Sequence, residues 1–186
     1  MGVSLPFRNS ISSWGWVSIV FHWLSAVLVI GLFVLGYWMV ELDYYSQWYR
    51  IAPDWHKSLG VLLVLATLFR LVWRFCNPIP KSLDTHSAAE RLSAKGAYVL
   101  LYCLLLSTLP TGYLIVTASG QALEVFNWFA IPSVITSVDN IEDLAGKIHE
   151  WSAYILIGLA SVHALAALKH HFFEKDATLK RMLGKR

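Results

Sequence analysis

The chain has 186 residues, of which 56% are hydrophobic and only 15% are charged. Water-soluble domains carry about a quarter charged residues, so this composition excludes an ordinary soluble fold. The formal net charge of +3 is too small for the basic face that nucleic-acid binding requires, and the 14% of aromatic residues is typical of anchoring at membrane–water boundaries. The composition predicts an integral membrane protein that contacts lipid and no nucleic acid.

Four apolar segments are long enough to cross a bilayer, which takes about 20 residues. In chain order they cover residues 17–40, 58–76, 96–117 and 144–173. Pro110 and Gly112 predict a kink in the third segment. Because hydrocarbon offers no hydrogen-bond partner to free backbone groups, all four segments are predicted to be helices. The expected fold is all-α, a four-helix transmembrane bundle that forms a single domain over residues 1–186.

The connecting loops carry weaker signals. The loop 118–143 contains residues 123–129, which are expected to form an amphipathic turn or helix at the membrane interface, or an irregular loop with interfacial aromatic side chains. In the loop that follows the second helix, His86 lies between Thr85 and Ser87 and is expected to be solvated.

Lysine and arginine are distributed unequally between the two ends of such a bundle. When both termini are placed on one side, twelve of these residues fall on that side, and only Arg50, Lys57 and Lys147 fall on the other. Eight acidic residues lie on the side that has three cations. Since positive charge concentrates on the cytoplasmic side of membrane proteins, both termini are predicted to be cytoplasmic.

Four histidines lie within or at the ends of the predicted spans. His22 is about five residues into the first span from the inner side, and His56 is at the outer mouth of the second. His149 is one turn into the fourth span from the outer side, and His163 is deeper in the same helix. Burying an ionisable group in a membrane costs free energy, so such residues indicate a function.

The spacing of these histidines arranges them as two pairs. His149 and His163 are 14 residues apart, which is about 21 Å along a helix and close to a whole number of turns. They are therefore expected on one face of the helix at two depths. His22 matches the inner depth and His56 the outer depth, which predicts the pairs His22–His163 and His56–His149.

Paired histidines from facing helices are typical of haem ligation. Neutral imidazole is an axial ligand of haem iron, and helix bundles hold such cofactors in their cores. Two axial histidines leave no position for oxygen, which favours electron transfer. We therefore predict two non-covalent haems b, with the four histidines as metal ligands. Covalent attachment is excluded because the two cysteines form no Cys-x-x-Cys-His motif.

Two alternatives compete with haem ligation. Each histidine taken singly also fits a packed residue that is hydrogen-bonded to a backbone carbonyl. Structural zinc requires four ligands in one place, and the sequence offers no nearby cysteine or carboxylate in register with either pair.

Two residues of the second helix support the haem interpretation. Gly60 follows His56 by four residues on the same face and would give a flat macrocycle room. Arg70 follows His56 by 14 residues, so it shares that face at the inner depth and could pair with haem propionates. The alternative for Arg70, and the better interpretation for Arg74, is a side chain that extends to the inner headgroups.

Several motifs give the chain a resemblance to the bacterial cytochrome b561 family. They cover essentially the whole chain and are Phe21-His22-Trp23-Leu24, His56-Lys57-Ser58-Leu59-Gly60, His149-Glu150-Trp151, and residues 162–172 and 175–182. The resemblance implies a four-helix dihaem cytochrome of the bacterial inner membrane that acts between the quinone pool and an outer-side redox partner. The haem ligands of the family match His22, His56, His149 and His163.

The resemblance also implies a ubiquinone site beside the inner haem, with His170 as the contact. His170 lies seven residues past His163, about 10 Å nearer the cytoplasm, where it could supply a proton as quinone is reduced. It is the residue predicted to be catalytic. The alternative is that His170 and His171 form an interfacial basic cluster with Lys169.

Two functions are expected from this resemblance. Some members of the family oxidise superoxide at the outer face and pass the electron to ubiquinone; here the acidic outer side weakens that assignment. Lys57 and Lys147 nevertheless flank the outer ligands, and Lys57 is included among the predicted cofactor-site residues. The first function is an oxidoreductase that moves electrons from superoxide or a periplasmic redox protein to ubiquinone. The alternative is a cytochrome b subunit or membrane anchor of a larger complex, as in hydrogenase and formate dehydrogenase.

Overall fold

The computed structural model describes residues 6–135 and 140–185. Within them lie four long helices, a two-stranded sheet and a short terminal helix. In chain order they are α1 (Trp16–Met39), α2 (Trp48–Phe75), α3 (Ala88–Thr117), β1 (Leu123–Val125), β2 (Phe129–Ile131), α4 (Ile141–Phe172) and α5 (Thr178–Met182). Helices α1 to α4 are each long and apolar enough to cross a membrane, which confirms the predicted helical transmembrane architecture.

Helices α2 and α3 begin two or more turns earlier than the apolar pattern predicts. Helix α3 begins at Ala88 because Ser87 and Glu90 form a capping box: the Glu90 carboxylate accepts from the Ser87 N–H at 2.9 Å, and the Ser87 hydroxyl accepts from the Glu90 N–H at 3.2 Å. Helix α2 begins at Trp48, and an ion pair of 2.7 Å between Asp54 and Lys57 supports its polar first turns. Helix α3 continues through Pro110 without a break.

The long helices present apolar side chains on their outward faces. Val27, Val34, Leu65, Val72 and Val162 are each more than half exposed. A soluble protein would cover such surface, whereas hydrocarbon solvates it at no cost. The buried positions of these helices include small polar residues that bond to their own helices; the Ser25 and Thr108 hydroxyls, for example, donate to the carbonyls of Phe21 and Leu104.

Contacts group the chain into two compact units. The terminal unit comprises Met1–Ala26, Ala66–Leu101 and Gly158–Arg186. The central unit comprises Val27–Leu65 and Tyr102–Ile157. Each unit contains part of all four long helices and one of the predicted histidine pairs.

Residues 123–131 form a β-hairpin, so both expectations for this segment, an amphipathic turn or helix and an irregular loop, are wrong. Strands β1 and β2 pair antiparallel, with Leu123 opposite Ile131 and Val125 opposite Phe129. Leu123 and Val125 point inward and are buried. The turn places Phe126 and Asn127 in the left-handed region, with φ values of 49° and 57°. The Phe126 N–H donates to the buried Ser58 hydroxyl of α2 at 2.9 Å, which attaches the hairpin to that helix.

Candidate functional site

The central unit brings His56 of α2 and His149 of α4 face to face. Their ring centroids are 6.2 Å apart, and the ring planes are inclined by 70°. The two rings approach each other from different helices, as their depths in the sequence predict.

A backbone carbonyl sets the tautomer of His149. Its Nδ1 lies 2.9 Å from the carbonyl oxygen of Thr108 in α3. Because a carbonyl can only accept, Nδ1 must carry the proton when the ring is neutral. The other ring nitrogen, Nε2, then has its lone pair free, which is the state that binds a metal.

Two glycines give the imidazoles of the central unit their space. A Cβ atom added at Gly36 of α1 would lie 2.9 Å from Cε1 of His56. A Cβ atom added at Gly112 of α3 would lie 3.0 Å from Cε1 of His149. Real Cβ atoms essentially never make a contact as close as the one at Gly36, and the contact at Gly112 is tighter than most. Sequence reasoning missed Gly36 and interpreted Gly112 only as part of a kink; glycine inside an apolar span was the available signal.

A cavity lies between these two histidines. Its volume is about 70 Å³. Gly60 lines it, and a Cβ atom there would meet nothing within 4 Å, so the space that the sequence predicts beside Gly60 is present. The other lining side chains are almost all apolar and include Val29, Leu32, Phe33, Leu63, Leu105, Leu109 and Leu156.

The terminal unit brings His22 of α1 and His163 of α4 together in the same way. Their ring centroids are 6.4 Å apart, with planes inclined by 67°. The Trp23 ring lies 5.3 Å from the His22 ring, and its Nε1 donates to the Met182 carbonyl at 2.8 Å. Arg70 of α2 is close enough to act on His22 electrostatically.

Both ring separations fit one metal ion held between two imidazoles. Imidazole nitrogens bind transition metals at about 2.0 Å, and a ring centroid lies about 1.1 Å from its nitrogens, so rings on opposite sides of one metal have centroids about 6.2 Å apart. The measured separations are 6.2 Å and 6.4 Å. The residues of both pairs therefore fit haem iron with axial histidines.

Two further cations of α2 lie in contacts of their own. Lys57 forms its ion pair with Asp54, so its charge is partly compensated. The Arg74 guanidinium stacks 3.8 Å above the Tyr98 ring in a cation–π contact.

His170 lies in a network of carboxylates at the end of α4. Its Nδ1 is 2.9 Å from Oδ2 of Asp176 and also contacts the Glu174 carboxylate. The ammonium group of Lys169 lies 2.5 Å from the same Glu174 and 3.7 Å from Glu90. The alternative, an interfacial basic cluster of His170, His171 and Lys169, is therefore incomplete, because acidic groups contact both Lys169 and His170.

His86 also belongs to this network, so the expectation that it is solvated is wrong. Its side chain is 15% exposed, its Nε2 lies 3.1 Å from Oδ2 of Asp176, and its ring centroid is 4.8 Å from that of His170. The reason is that the segment after α4 folds back against the α2–α3 loop, a long-range contact that no local pattern reports.

Asp176 is ionised in this network. Burial opposes ionisation of its carboxyl, but hydrogen bonds from the backbone and hydroxyl of Thr178 and from His86 outweigh burial and lower the pKa of Asp176 to about 2. The Thr178 N–H donates to Oδ1 at 2.7 Å. The other oxygen, Oδ2, faces the two histidines.

Comparison with known proteins gives matches along nearly the whole chain. The family described as prokaryotic cytochrome b561 matches residues 13–185. Cytochrome b561 homolog 2 of Escherichia coli K12 is 45% identical over 181 residues, which are 97% of this chain and 96% of that protein. Cytochrome b562 of Cereibacter sphaeroides is 29% identical over 175 residues, 91% of this chain and 94% of that protein. A Yersinia pestis protein named probable superoxide oxidase CybB is 27% identical over 177 residues, 89% of this chain and 92% of that protein.

These matches confirm the family that the sequence motifs suggest. They agree with four helices able to span a membrane and with histidine pairs that fit haem iron. The chain therefore belongs to the prokaryotic cytochrome b561 family, and it is a multi-pass bacterial membrane protein of electron transfer that binds b-type haem.

Proposed function

We propose that this protein holds two haems b and carries electrons across the bacterial inner membrane to ubiquinone. Two facing histidine pairs support this most directly. In each pair, the ring separation is the one that a single metal ion between the rings requires. His22 and His163 are the proposed ligands of one haem, and His56 and His149 are those of the other. When bound, each haem supplies a one-electron redox centre.

Neighbouring groups set the tautomer of one ligand and leave space for the ligand rings. The Thr108 carbonyl keeps the Nδ1 proton of His149 in place, so that Nε2 is free for iron. Gly36 and Gly112 admit the two rings of the central unit, and almost all the side chains that line the cavity between them are apolar. The two histidines of each pair would supply both protein ligands of a bound haem iron, which would favour electron transfer over oxygen binding.

The electron donor in this proposal is a one-electron reductant on the outer side, either superoxide or a periplasmic redox protein. The Yersinia pestis relative is named a superoxide oxidase, which supports superoxide. Lys57, however, is paired with Asp54, and this pairing reduces the attraction of an anion toward His56. Two donor molecules must each give one electron for every quinone that becomes quinol.

Quinone reduction also consumes two protons, and His170 is the proposed group that delivers them. Its side chain is only 14% exposed and touches Asp176 and Glu174. A histidine between carboxylates can take a proton from one side and release it on the other. Arg70, which acts on His22 electrostatically in the same unit, adds positive charge that favours a reduced quinone oxygen.

Haem content tests the ligand assignment. The purified protein should contain about two haems per chain, measured by pyridine haemochrome, and each of His22→Ala, His56→Ala, His149→Ala and His163→Ala should lose about one because an axial bond is missing. His171→Ala is the matched control and should keep both. Four ligand variants with unchanged haem content would contradict the assignment.

Quinone kinetics test the role of His170. His170→Ala should slow the reduction of a quinone analogue by about 10- to 100-fold, since a general acid is lost, while both haems stay bound and reducible. His171→Ala should reduce quinone at the normal rate. If purified wild-type protein transfers no electron from superoxide to quinone, superoxide is not the donor, and the electron comes from a periplasmic redox protein or from a larger complex of which the chain is a subunit.

A further inference from the structure

A cluster of metal-ligating side chains lies in the terminal unit, separate from the His22–His163 pair. Its members are His86 in the α2–α3 loop, His170 in the last turn of α4, and Asp176 in the segment before α5. Their ligand atoms, Nε2, Nδ1 and a carboxylate oxygen, all lie within 4.8 Å of one another. The proposed electron path uses neither His86 nor Asp176.

We propose that His86, His170 and Asp176 bind one divalent transition-metal ion, with Zn²⁺ as the ion that fits them best. Two imidazoles and one carboxylate are a common ligand set for zinc. Tetrahedral ligands at about 2.0–2.1 Å from the ion lie about 3.3 Å from one another. The Asp176 oxygen is already 3.1 Å from Nε2 of His86 and 2.9 Å from Nδ1 of His170.

The hydrogen bonding of His170 supports a ligand role. Its Nδ1 is buried and lies beside two carboxylates, yet it makes no aligned hydrogen bond within the described part of the chain. A purely structural histidine–carboxylate pair would align its N–H with an oxygen. Nδ1 is therefore available to direct a lone pair at an ion placed between itself, His86 and Asp176.

Neighbouring groups hold the other two ligands in place. The Thr178 N–H binds Oδ1 of Asp176 at 2.7 Å, which leaves Oδ2 toward the histidines. The Arg91 guanidinium donates to the carbonyl of His86 at 2.8 Å and 3.0 Å, which fixes the backbone of that loop. Such supporting bonds orient metal ligands in known sites. A water molecule or the Glu174 carboxylate can supply the fourth ligand.

Metal binding here would join the α2–α3 loop to the end of α4 and the segment that follows it. The segment that carries Asp176 continues into α5, whose Met182 carbonyl accepts from Trp23 beside His22. A bound ion would thus fasten the C-terminal segment that packs next to one histidine pair. The ion would also occupy His170. Any effect of this on quinone reduction rests on the proposed function, whereas the binding itself does not.

Zinc binding to the haem-loaded, full-length protein tests the proposal directly. After treatment with a chelator, equilibrium dialysis against micromolar Zn²⁺ should give about one ion per chain. The zinc-edge X-ray absorption spectrum should show two imidazole nitrogens and oxygen ligands at about 2.0 Å. Haem loading keeps His22, His56, His149 and His163 from competing for the ion.

Two variants and a control localise the ion. His86→Ala and Asp176→Asn should each weaken Zn²⁺ binding by about 100-fold, while the haem content of both variants remains that of the wild type. Asparagine keeps the hydrogen bonds to Thr178, so Asp176→Asn separates loss of a ligand from loss of structure. His171→Ala should bind Zn²⁺ as tightly as the wild type.

Three results would overturn the proposal. The first is no zinc on the wild-type protein at micromolar free Zn²⁺. The second is a zinc spectrum with sulfur ligands, which would assign the ion to Cys76 or Cys103. The third is equal affinity in the wild type, His86→Ala and Asp176→Asn. The wild-type spectrum decides the matter even if both variants lose haem, because it reports the ligands without any substitution.

Discussion

Gly36 and Gly112 show how single residues shape the central unit. Each lies where a methyl group would collide with an imidazole, at 2.9 Å from His56 and 3.0 Å from His149. Glycine costs a helix about 1 kcal/mol relative to alanine, so two glycines at these positions indicate a spatial requirement rather than a helical preference. The requirement is room for the histidine rings.

Gly36→Ala should therefore lower haem occupancy of the central unit. The new methyl group would push the His56 ring away from His149, and haem content should fall from about two toward one per chain. Gly31→Ala is the matched control in the same helix, because a Cβ atom there meets nothing within 4 Å. Equal haem content in the two variants would show that His56 can move aside without losing its ligand role.

The sequence alone leads to the four histidines but not to the residues that surround them. His149 and His163 share a face because their separation is close to a whole number of helical turns, and that follows from helix geometry. The contacts of Gly36 with His56 and of His86 with Asp176 depend on which segments meet in three dimensions. Neither contact can be predicted from a local periodicity of the sequence.

At the level of elements, the β-hairpin is the largest departure from the apolar pattern. Its inward positions are Leu123 and Val125, with only Glu124 between them, which is too short an alternation to identify a strand. Its turn uses Phe126 and Asn127 in the left-handed region instead of the glycine that usually marks a hairpin. The four helices, by contrast, were predictable because each has a long apolar run.

Ser58 should hold this hairpin against α2. Ser58→Ala removes the acceptor of the Phe126 N–H and leaves that group unpaired, at a cost of about 1–3 kcal/mol to the hairpin contact. Hydrogen exchange followed by mass spectrometry should show faster exchange over residues 123–131. The exposed Ser119, changed to alanine, serves as the control and should leave exchange in the hairpin unchanged.

If hydrogen exchange over residues 123–131 is as slow in Ser58→Ala as in the wild type, other contacts keep the hairpin in place. The ring contact of 5.7 Å between Trp55 and Phe126 is one such contact. Haem content should be measured on the same sample, because Ser58 lies two residues from His56 on α2.

On the scale of the whole molecule, the distribution of charge predicts how the protein sits in the membrane. Twelve lysines and arginines accompany the two termini, and three lie at the opposite ends of the helices. This asymmetry favours both termini in the cytoplasm. The network of His86, His170 and Asp176 belongs to the unit that contains both termini, so the same orientation would give it access to cytoplasmic protons and metal ions.

Reporter fusions test this orientation. A reporter that is active only in the cytoplasm should be active when fused after Arg186 or inserted after Lys81, and it should be silent when inserted after Ser119 in the loop that precedes the hairpin. The insertion after Lys81 is the matched control, because that loop joins α2 to α3 on the side predicted for the termini. Activity after Ser119 together with silence at the other two positions would reverse the orientation. The proposed quinone and metal sites would then face the periplasm, and the acidic ends of the helices would face the cytoplasm.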